Sequence, residues 1–311
     1  MSAADRKLVL VTRRTRLEEL IGKYHTLAQA RFYIEHLGAD FGDYLRENAA
    51  YAASLQRCVV ALQAWGRHQV VERSFLPNFV FGRDDIVVTL GQDGLVANTM
   101  KYLDGQPLVG VNPEPARWDG VLLPFEPTDL GAVLRDVAAD RRPVRAVTMA
   151  EARLPDGQRL RAVNDLFVGP RTHSSALYDI ELDGRRESQS SSGLIVATGL
   201  GSTAWLRSVV TGSLGIAAAL DGTPRGEEGA AEQPWDTPAL TFVVREPFPG
   251  NGSATSLVYG RVGRRQTLRL RSRMPENGVI FSDGMEADFL RFTAGIEAEI
   301  GVAPVQGRLV A

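Results

Sequence analysis

One cysteine and four histidines among 311 residues leave little material for disulfide or transition-metal chemistry. Cys58 stands alone inside a helical pattern, which excludes a disulfide framework and a thiolate metal cluster and assigns it to packing. His25, His36, His68 and His173 are scattered without metal-ligand spacing, so a divalent ion would have to arrive with a nucleotide. An excess of either charge is also missing. The 35 Lys and Arg stand against 37 Asp and Glu, a formal net charge of -2, and without a basic surplus no nucleic-acid partner is expected. The local run Arg13-Arg14-Thr15-Arg16 reads as a solvated face or a phosphate contact. No apolar run reaches membrane length and the start lacks a signal-peptide core, so the expectation is a cytoplasmic protein with no membrane partner. Internal repeats are absent as well.

What is present is an ordinary globular composition, 44% hydrophobic and 23% charged, in a chain long enough for two domains. The most informative stretch is 86–100, IVVTLGQDGLVANTM. Its five apolar or β-branched residues read as a buried parallel strand, and they run into Gly91-Gln92-Asp93-Gly94 and then a helical pattern. A glycine-bracketed carboxylate at the carboxyl end of such a strand sits where open α/β sheets bind ligands. Glycines permit a sharp turn that turns amide N–H groups toward phosphate, and the following helix adds its positive dipole end. Asp93 would stand there as a general base or a metal ligand. The same four residues also build plain tight turns in which the Asp bonds its own backbone.

The flanking pattern is α/β. Residues 7–12 (KLVLVT) read as a first strand, and Leu20, Ile21, Tyr24, Leu27, Ala28 and Phe32 fall on one face of a following helix. Tyr51, Leu55, Cys58, Val59, Leu62 and Trp65 mark another helix, 69–71 a strand, and 107–111 (PLVGV) a further buried strand that ends in Asn112-Pro113-Glu114-Pro115. The Asn112 amide there can bond a ligand hydroxyl or simply start the turn. Residues 128–139 form an amphipathic helix with Thr128 as its N-cap.

Near Pro143 the periodicity changes. Short alternating runs at 144–151, 160–168, 176–182 and 193–198, separated by Pro155-Asp156-Gly157 and Asp183-Gly184 turns, predict an antiparallel β domain. Asn164-Asp165 opens one run, as a polar ligand anchor or a turn-stabilising pair. The stretch 190–205, SSSGLIVATGLGSTAW, reads as strand, glycine loop, and a helix opened by Ser202-Thr203-Ala204, the parts of an anion or nucleotide cradle. Residues 221–238 read as a flexible surface excursion, 240–245, 257–262, 268–272 and 279–281 as β runs, Ser282-Asp283-Gly284 as a turn, and 289–300 as a last strand or two. The division is 1–140, an α/β nucleotide-binding domain, and 141–311, a β-rich, sandwich-like domain whose extreme C-terminus can pack back on the first.

In this order the motifs resemble the NAD kinase family, whose Gly-Gly-Asp-Gly-Thr, Asn-Glu and Thr-Gly-Ser-Thr-Ala-Tyr-like stretches stand here as Gly91-Gln92-Asp93-Gly94-Leu95, Asn164-Asp165 and Thr198 through Trp205. GVNPEP, SSSGLIVATGLGSTAW and FVVREP look closest to the mitochondrial-type branch. The resemblance implies an ATP-dependent kinase that phosphorylates the 2′-hydroxyl of the adenosine ribose of NAD, with Asp93 as base and Mg²⁺ neutralising charge on the ATP phosphates. It implies that Gly91, Gln92, Gly94 and Leu95 shape the phosphate-binding turn, and that Asn112, Asn164, Asp165, Ser202, Thr203, Ala204 and Trp205 bind NAD. It also implies a homodimer. Gln92 and Leu95 depart from the family pattern, replacing a glycine and a threonine, which leaves a non-catalytic NAD(H)-binding or regulatory protein on the same fold as the alternative. A lipid or sugar kinase would account for Asp93 but not for 190–205.

Overall fold

Apolar runs in the first 145 residues become strands with little or no exposure. The computed structural model describes residues 6–222 and 232–311 and divides the chain into two units, Met1–Arg145 with Arg308–Ala311, and Ala146–Gly307. In the first unit, β1 (Leu8–Thr12) leads to α1 (Arg16–Tyr24), α2 (Leu27–His36), α3 (Phe41–Trp65) and β2 (His68–Glu72). β3 (Ile86–Leu90), α4 (Asp93–Met100), β4 (Pro107–Val111) and α5 (Leu130–Ala138) follow, and β5 (Val144–Val147) leaves the unit. The strand order is β2-β1-β3-β4-β18-β5, with β18 (Gly307–Val310) returning from the end of the chain. β1 pairs in parallel with both β2 and β3, and β4 in parallel with β3 and β18. The order therefore reverses between β1 and β3, which makes their carboxyl ends the crevice where an open α/β sheet accepts ligands.

The core of this unit follows from alternation in fully covered strands. Leu8, Leu10, Ile86, Val88, Leu90 and Val109 meet Tyr51, Cys58 and Leu62 of α3 and Leu130, Val133, Leu134 and Val137 of α5. Burial pushes the Cys58 thiol up to about 12, so it packs as an inert apolar group.

Local details depart from the sequence reading. The single helix face from Leu20 to Phe32 is two helices, because His25 caps α1 in the left-handed region at φ 68°. Thr26 then starts α2, its hydroxyl accepting from Gln29 N. The helix predicted from Tyr51 begins ten residues earlier. Its polar first half is kept by ion pairs, Glu47 with Arg13 and Arg16, and Asp43 with Arg16 and Arg117. At α5 the N-cap is Asp129 in helical conformation with no side-chain cap bond, not Thr128.

In the second unit, β6 (Ala150–Arg153), β7 (Arg159–Ala162), β8 (Asp165–Pro170), β9 (Ala176–Leu182), β10 (Arg185–Ser191) and β11 (Leu194–Ala197) precede α6 (Trp205–Asp221). β12 (Ala239–Val244), β13 (Tyr259–Gly263), β14 (Leu268–Ser272), β15 (Gly278–Ser282), β16 (Met285–Arg291) and β17 (Glu297–Val302) complete it. They form two antiparallel six-stranded sheets, β10-β9-β14-β17-β6-β7 and β13-β12-β11-β8-β15-β16, and residues of both share one sandwich core. The mixed α/β unit followed by a β-rich unit is the fold class expected. β10, RRESQSS, had no apolar signal and is held as the edge partner of β9. The run 144–151 is two strands in different sheets. The excursion expected at 221–238 falls largely on 223–231, outside the described residues.

β8 is buried at all six positions because both of its faces are covered. Leu166 and Val168 point into the sandwich core, while Phe167 lies with Ile195, Ala197, Val243 and α6. Phe167 stacks on Trp205 at 5.5 Å and on Phe281 at 4.9 Å between ring centroids. Phe167→Ala should therefore cost about 3 to 5 kcal/mol, read as a lower urea midpoint.

Candidate functional site

In the first unit the site is built where β3 and β4 end. Gly110 lies where a Cβ would meet the Leu122 carbonyl oxygen at 2.0 Å, so only glycine lets residues 122–123 lie directly on β4. That close approach delivers the Leu122 N–H to Asp93, whose Oδ1 accepts it at 2.7 Å. Asp93 is the first residue of α4, where the helix dipole favours a negative group. Its other oxygen makes no hydrogen bond among the described residues, and the residue is half-buried. The 112–123 loop is itself anchored: Ser54 Oγ donates to Pro113 O at 2.9 Å, and Arg117 grips Asp43 at 2.5 Å. Arg117 and then Arg16 hold the Asp43 carboxyl well below the usual range.

Around Asp93 the predicted residues divide. Gly91 donates its N–H to Val111 O at 3.2 Å and ties the turn to β4. Gln92 is the N-cap of α4 and makes no side-chain cap bond; Gly94 is exposed. Leu95 is 2% exposed, and its side chain covers Gly91 instead of facing a ligand. Asn112 is buried, its Nδ2 donating to Trp118 O at 2.9 Å and its Oδ1 accepting from Glu114 N at 3.0 Å. Its amide is thus engaged in shaping its own loop.

The run after β1, read from sequence as a solvated face or a phosphate contact, lines a pocket of about 390 Å³. Thr12, Arg13, Arg14 and Thr15 face Asn48 and Tyr51 of α3 there, with Glu72 at the end of β2. Tyr51 closes its floor, accepting from Arg13 N and donating to Leu90 O. Burial pushes the Tyr51 phenol up to about 12, so it stays a neutral donor. Arg13 pairs with Glu47 at 3.0 Å, yet its Nε is buried with no partner, and Arg14 is exposed.

In the second unit three turns meet: 163–165, 198–204 and 282–284. Gly201 lies where a Cβ would meet the Asn164 carbonyl oxygen at 2.0 Å, which presses the glycine loop onto the 163–165 turn. Thr198 reinforces it, its N–H donating to Asn164 O and its hydroxyl to Val163 O at 2.5 Å. The crowding corrects one expectation. Ser202 and Thr203 do not cap a helix: residues Leu200–Thr203 form a 3₁₀ turn, and α6 starts at Trp205 after an Ala204 cap with no side-chain bond. The Ser202 hydroxyl is 2% exposed, donating to Gly199 O at 2.7 Å and accepting from Gln233 N at 3.0 Å. Thr203 and Ala204 are exposed, and Trp205 is half-buried with the Arg245 guanidinium 5.2 Å from its ring.

Two side chains here have no hydrogen bond among the described residues: the half-buried Asn164 amide and the Asp165 carboxyl. Asp165 is 7% exposed, and burial followed by the charge of Asp283 pushes its carboxyl up to about 7. Asp283 itself, read from sequence only as a turn residue, is hydrogen-bonded to the backbone of 163–165. Among the described residues no group of three or more metal-ligating side chains occurs, and no helix is long and apolar enough to cross a membrane.

No family model matches the chain. NAD kinase of Chlorobium phaeobacteroides is 31% identical over 126 residues, a stretch spanning 39% of this chain and 43% of that protein, less than half the relative's length. Yeast NADH kinase, solved in complex with NADH, superposes with a TM-score of 0.54 at 16% identity over 98% of this chain and 83% of its own. An NAD kinase from Archaeoglobus fulgidus, solved in complex with ATP, gives 0.55 at 16% identity over 98% and 93%. The fold is that of these solved kinases along nearly all of the chain, and the sequence likeness to an NAD kinase covers 39% of it.

Proposed function

We propose that the protein is an NAD kinase, transferring the γ-phosphate of ATP to the 2′-hydroxyl of the adenosine ribose of NAD to give NADP. The observation that carries this is the Asp93 carboxylate at the carboxyl end of β3, with one oxygen held by Leu122 N at 2.7 Å and the other without a partner among the described residues. A ribose hydroxyl is a poor nucleophile at neutral pH, and a positioned carboxylate takes its proton as the oxygen attacks phosphorus. The likeness to NAD kinase over 126 residues supports the reading. The turn from Gly91 to Gly94 and the amino end of α4 receive phosphate, and the exposed Arg14 beyond the end of β1 adds positive charge. Asn164 and Asp165, with unspent hydrogen-bonding capacity, hold the dinucleotide; Thr203, Ala204 and Trp205 border it. The magnesium ion finds no preformed ligand cluster among the described residues, so it enters with ATP as part of the substrate and neutralises phosphate charge when bound.

A cytoplasmic homodimer completes the reading. The second unit ends its sheets in β10, β7, β13 and β16, edges that proteins pair or cover. Sedimentation velocity at micromolar concentration should give twice the chain mass; a monomer alone would refute the assembly.

Asp93→Asn should cut turnover by at least about 10²- to 10⁴-fold while leaving NAD affinity nearly unchanged, because the amide keeps the size and hydrogen bonding of the acid. Asn164→Ala should do the reverse, weakening NAD binding about tenfold. Purified protein assayed with NAD or NADH and a panel of phosphate donors tests the whole assignment. Binding without phosphorylation by any donor would leave only an NAD-binding protein.

Asp165 makes a separate prediction about stability. Its carboxyl, ordinarily near 3.8, titrates near 7 in the folded chain, so between those values the folded state holds a proton that the unfolded state has lost. Its contribution to stability is full below about pH 4 and is lost as pH rises through 7. Asp165→Asn should leave Tm unchanged at pH 4 and raise stability at pH 8 by about 2 to 4 kcal/mol. Thermal melts at the two pH values check it.

A further inference from the structure

We infer that Asp283 is a positioning residue of the dinucleotide site, holding the 163–165 turn so that Asn164 and Asp165 reach the ligand, and acting on Asp165 through its charge. The inference rests on the function proposed above. Asp283 sits between β15 and β16 at φ 52°, followed by Gly284 at φ 69°, a mirror-image hairpin turn. An Asp in such a turn ordinarily bonds its own backbone. Here the carboxylate crosses to the link between β7 and β8, strands of different sheets, about 120 residues away in sequence. Its Oδ1 accepts from Asn164 N at 2.7 Å, Val163 N at 3.1 Å and Asp165 N at 3.3 Å, and its Oδ2 accepts from Val163 N at 3.0 Å. In return Asp283 N donates to Asp165 O at 3.0 Å.

Three consecutive amides closing on one carboxylate fix the backbone from which both ligand-facing side chains project. Turn-holding alone does not require a negative charge. A neutral acceptor would serve, and a second carboxyl beside the buried Asp165 is a like-charge cost that stability opposes. The charge therefore has a use at Asp165. β11, β15 and the 198–204 turn carry no ionisable side chain. β6, β7 and β9, which also pack against β8, carry Glu151 and Arg153, Arg159 and Arg161, and Asp179 and Glu181, and the charge that acts on Asp165 is that of Asp283.

Two variants separate the parts. Asp283→Asn keeps a carbonyl acceptor for the three amides and removes the charge; Asp283→Ala removes both. In the full chain, with KM for NAD and for ATP measured between pH 6 and 8, Asp283→Ala should raise KM for NAD at least tenfold and change KM for ATP less than twofold. Asp283→Asn should recover most of the NAD affinity and move the pH midpoint of the NAD dependence to lower pH. In the wild-type chain the amides of 163–165 should exchange slowly with solvent. An unchanged KM for NAD in folded Asp283→Ala, an unmoved midpoint in Asp283→Asn, or fast exchange at 163–165 would each overturn the inference. A wild-type chain that binds no NAD at all would instead remove the functional reading, while the exchange result would still decide whether Asp283 holds the turn.

Discussion

Where a buried strand ends, its last backbone donors have lost their neighbours and cannot reach water freely, and leaving them unpaired costs as much as a lost hydrogen bond. Much of this protein's chemistry follows from how that constraint is met. In the first unit the chain leaving β4 doubles back over Gly110, and the Leu122 N–H it brings finds Asp93. In the second, the link between β7 and β8 presents three donors in a row, and Asp283 accepts them all. In both places a carboxylate replaces the missing strand. Satisfying the fold has therefore fixed an acid in space, which is the costly part of building a catalytic or binding group.

The same constraint decides what remains for a ligand. Ser202 and Asn112 carry good hydrogen-bonding groups, yet both are turned inward to hold the loops that contain them. With those loops stiffened, the second oxygen of Asp93, the Asn164 amide and the Asp165 carboxyl keep hydrogen-bonding capacity that no other described residue uses. A site prepared this way meets its substrate without reordering side chains, so little conformational entropy is lost on binding.

What could be read from the sequence was what local pattern controls. β1, β3 and β4 are continuous apolar runs covered on both faces, and Asp93 follows one of them with glycines on either side. The α/β unit followed by a β-rich unit was legible from the change in period near Pro143. Features set by distant partners were not. The break at His25 lies inside an unbroken apolar face. β10 is polar and is a strand because β9 offers it an edge. The inward-facing Ser202 hydroxyl is held by Gly199 and by the distant Gln233, and Asp283 looks like any turn aspartate until the β7–β8 link across from it is known.

Asp165 and Asp283 show how the fold assigns different tasks to two similar acids. They lie together where burial penalises charge, and one of them, Asp283, receives three backbone donors while the other receives none. Burial, and then the charge of Asp283 beside it, push the Asp165 carboxyl up to about 7, toward its protonated form near neutral pH. A neutral carboxylic acid can donate a hydrogen bond as well as accept one, which a carboxylate cannot. Both side chains are aspartate, so the difference lies in their surroundings: three backbone donors on Asp283, burial and a neighbouring carboxyl at Asp165. The ribose hydroxyls, which donate and accept in turn, are the part of a dinucleotide such a group suits, and the neighbouring Asn164 amide has the same double character.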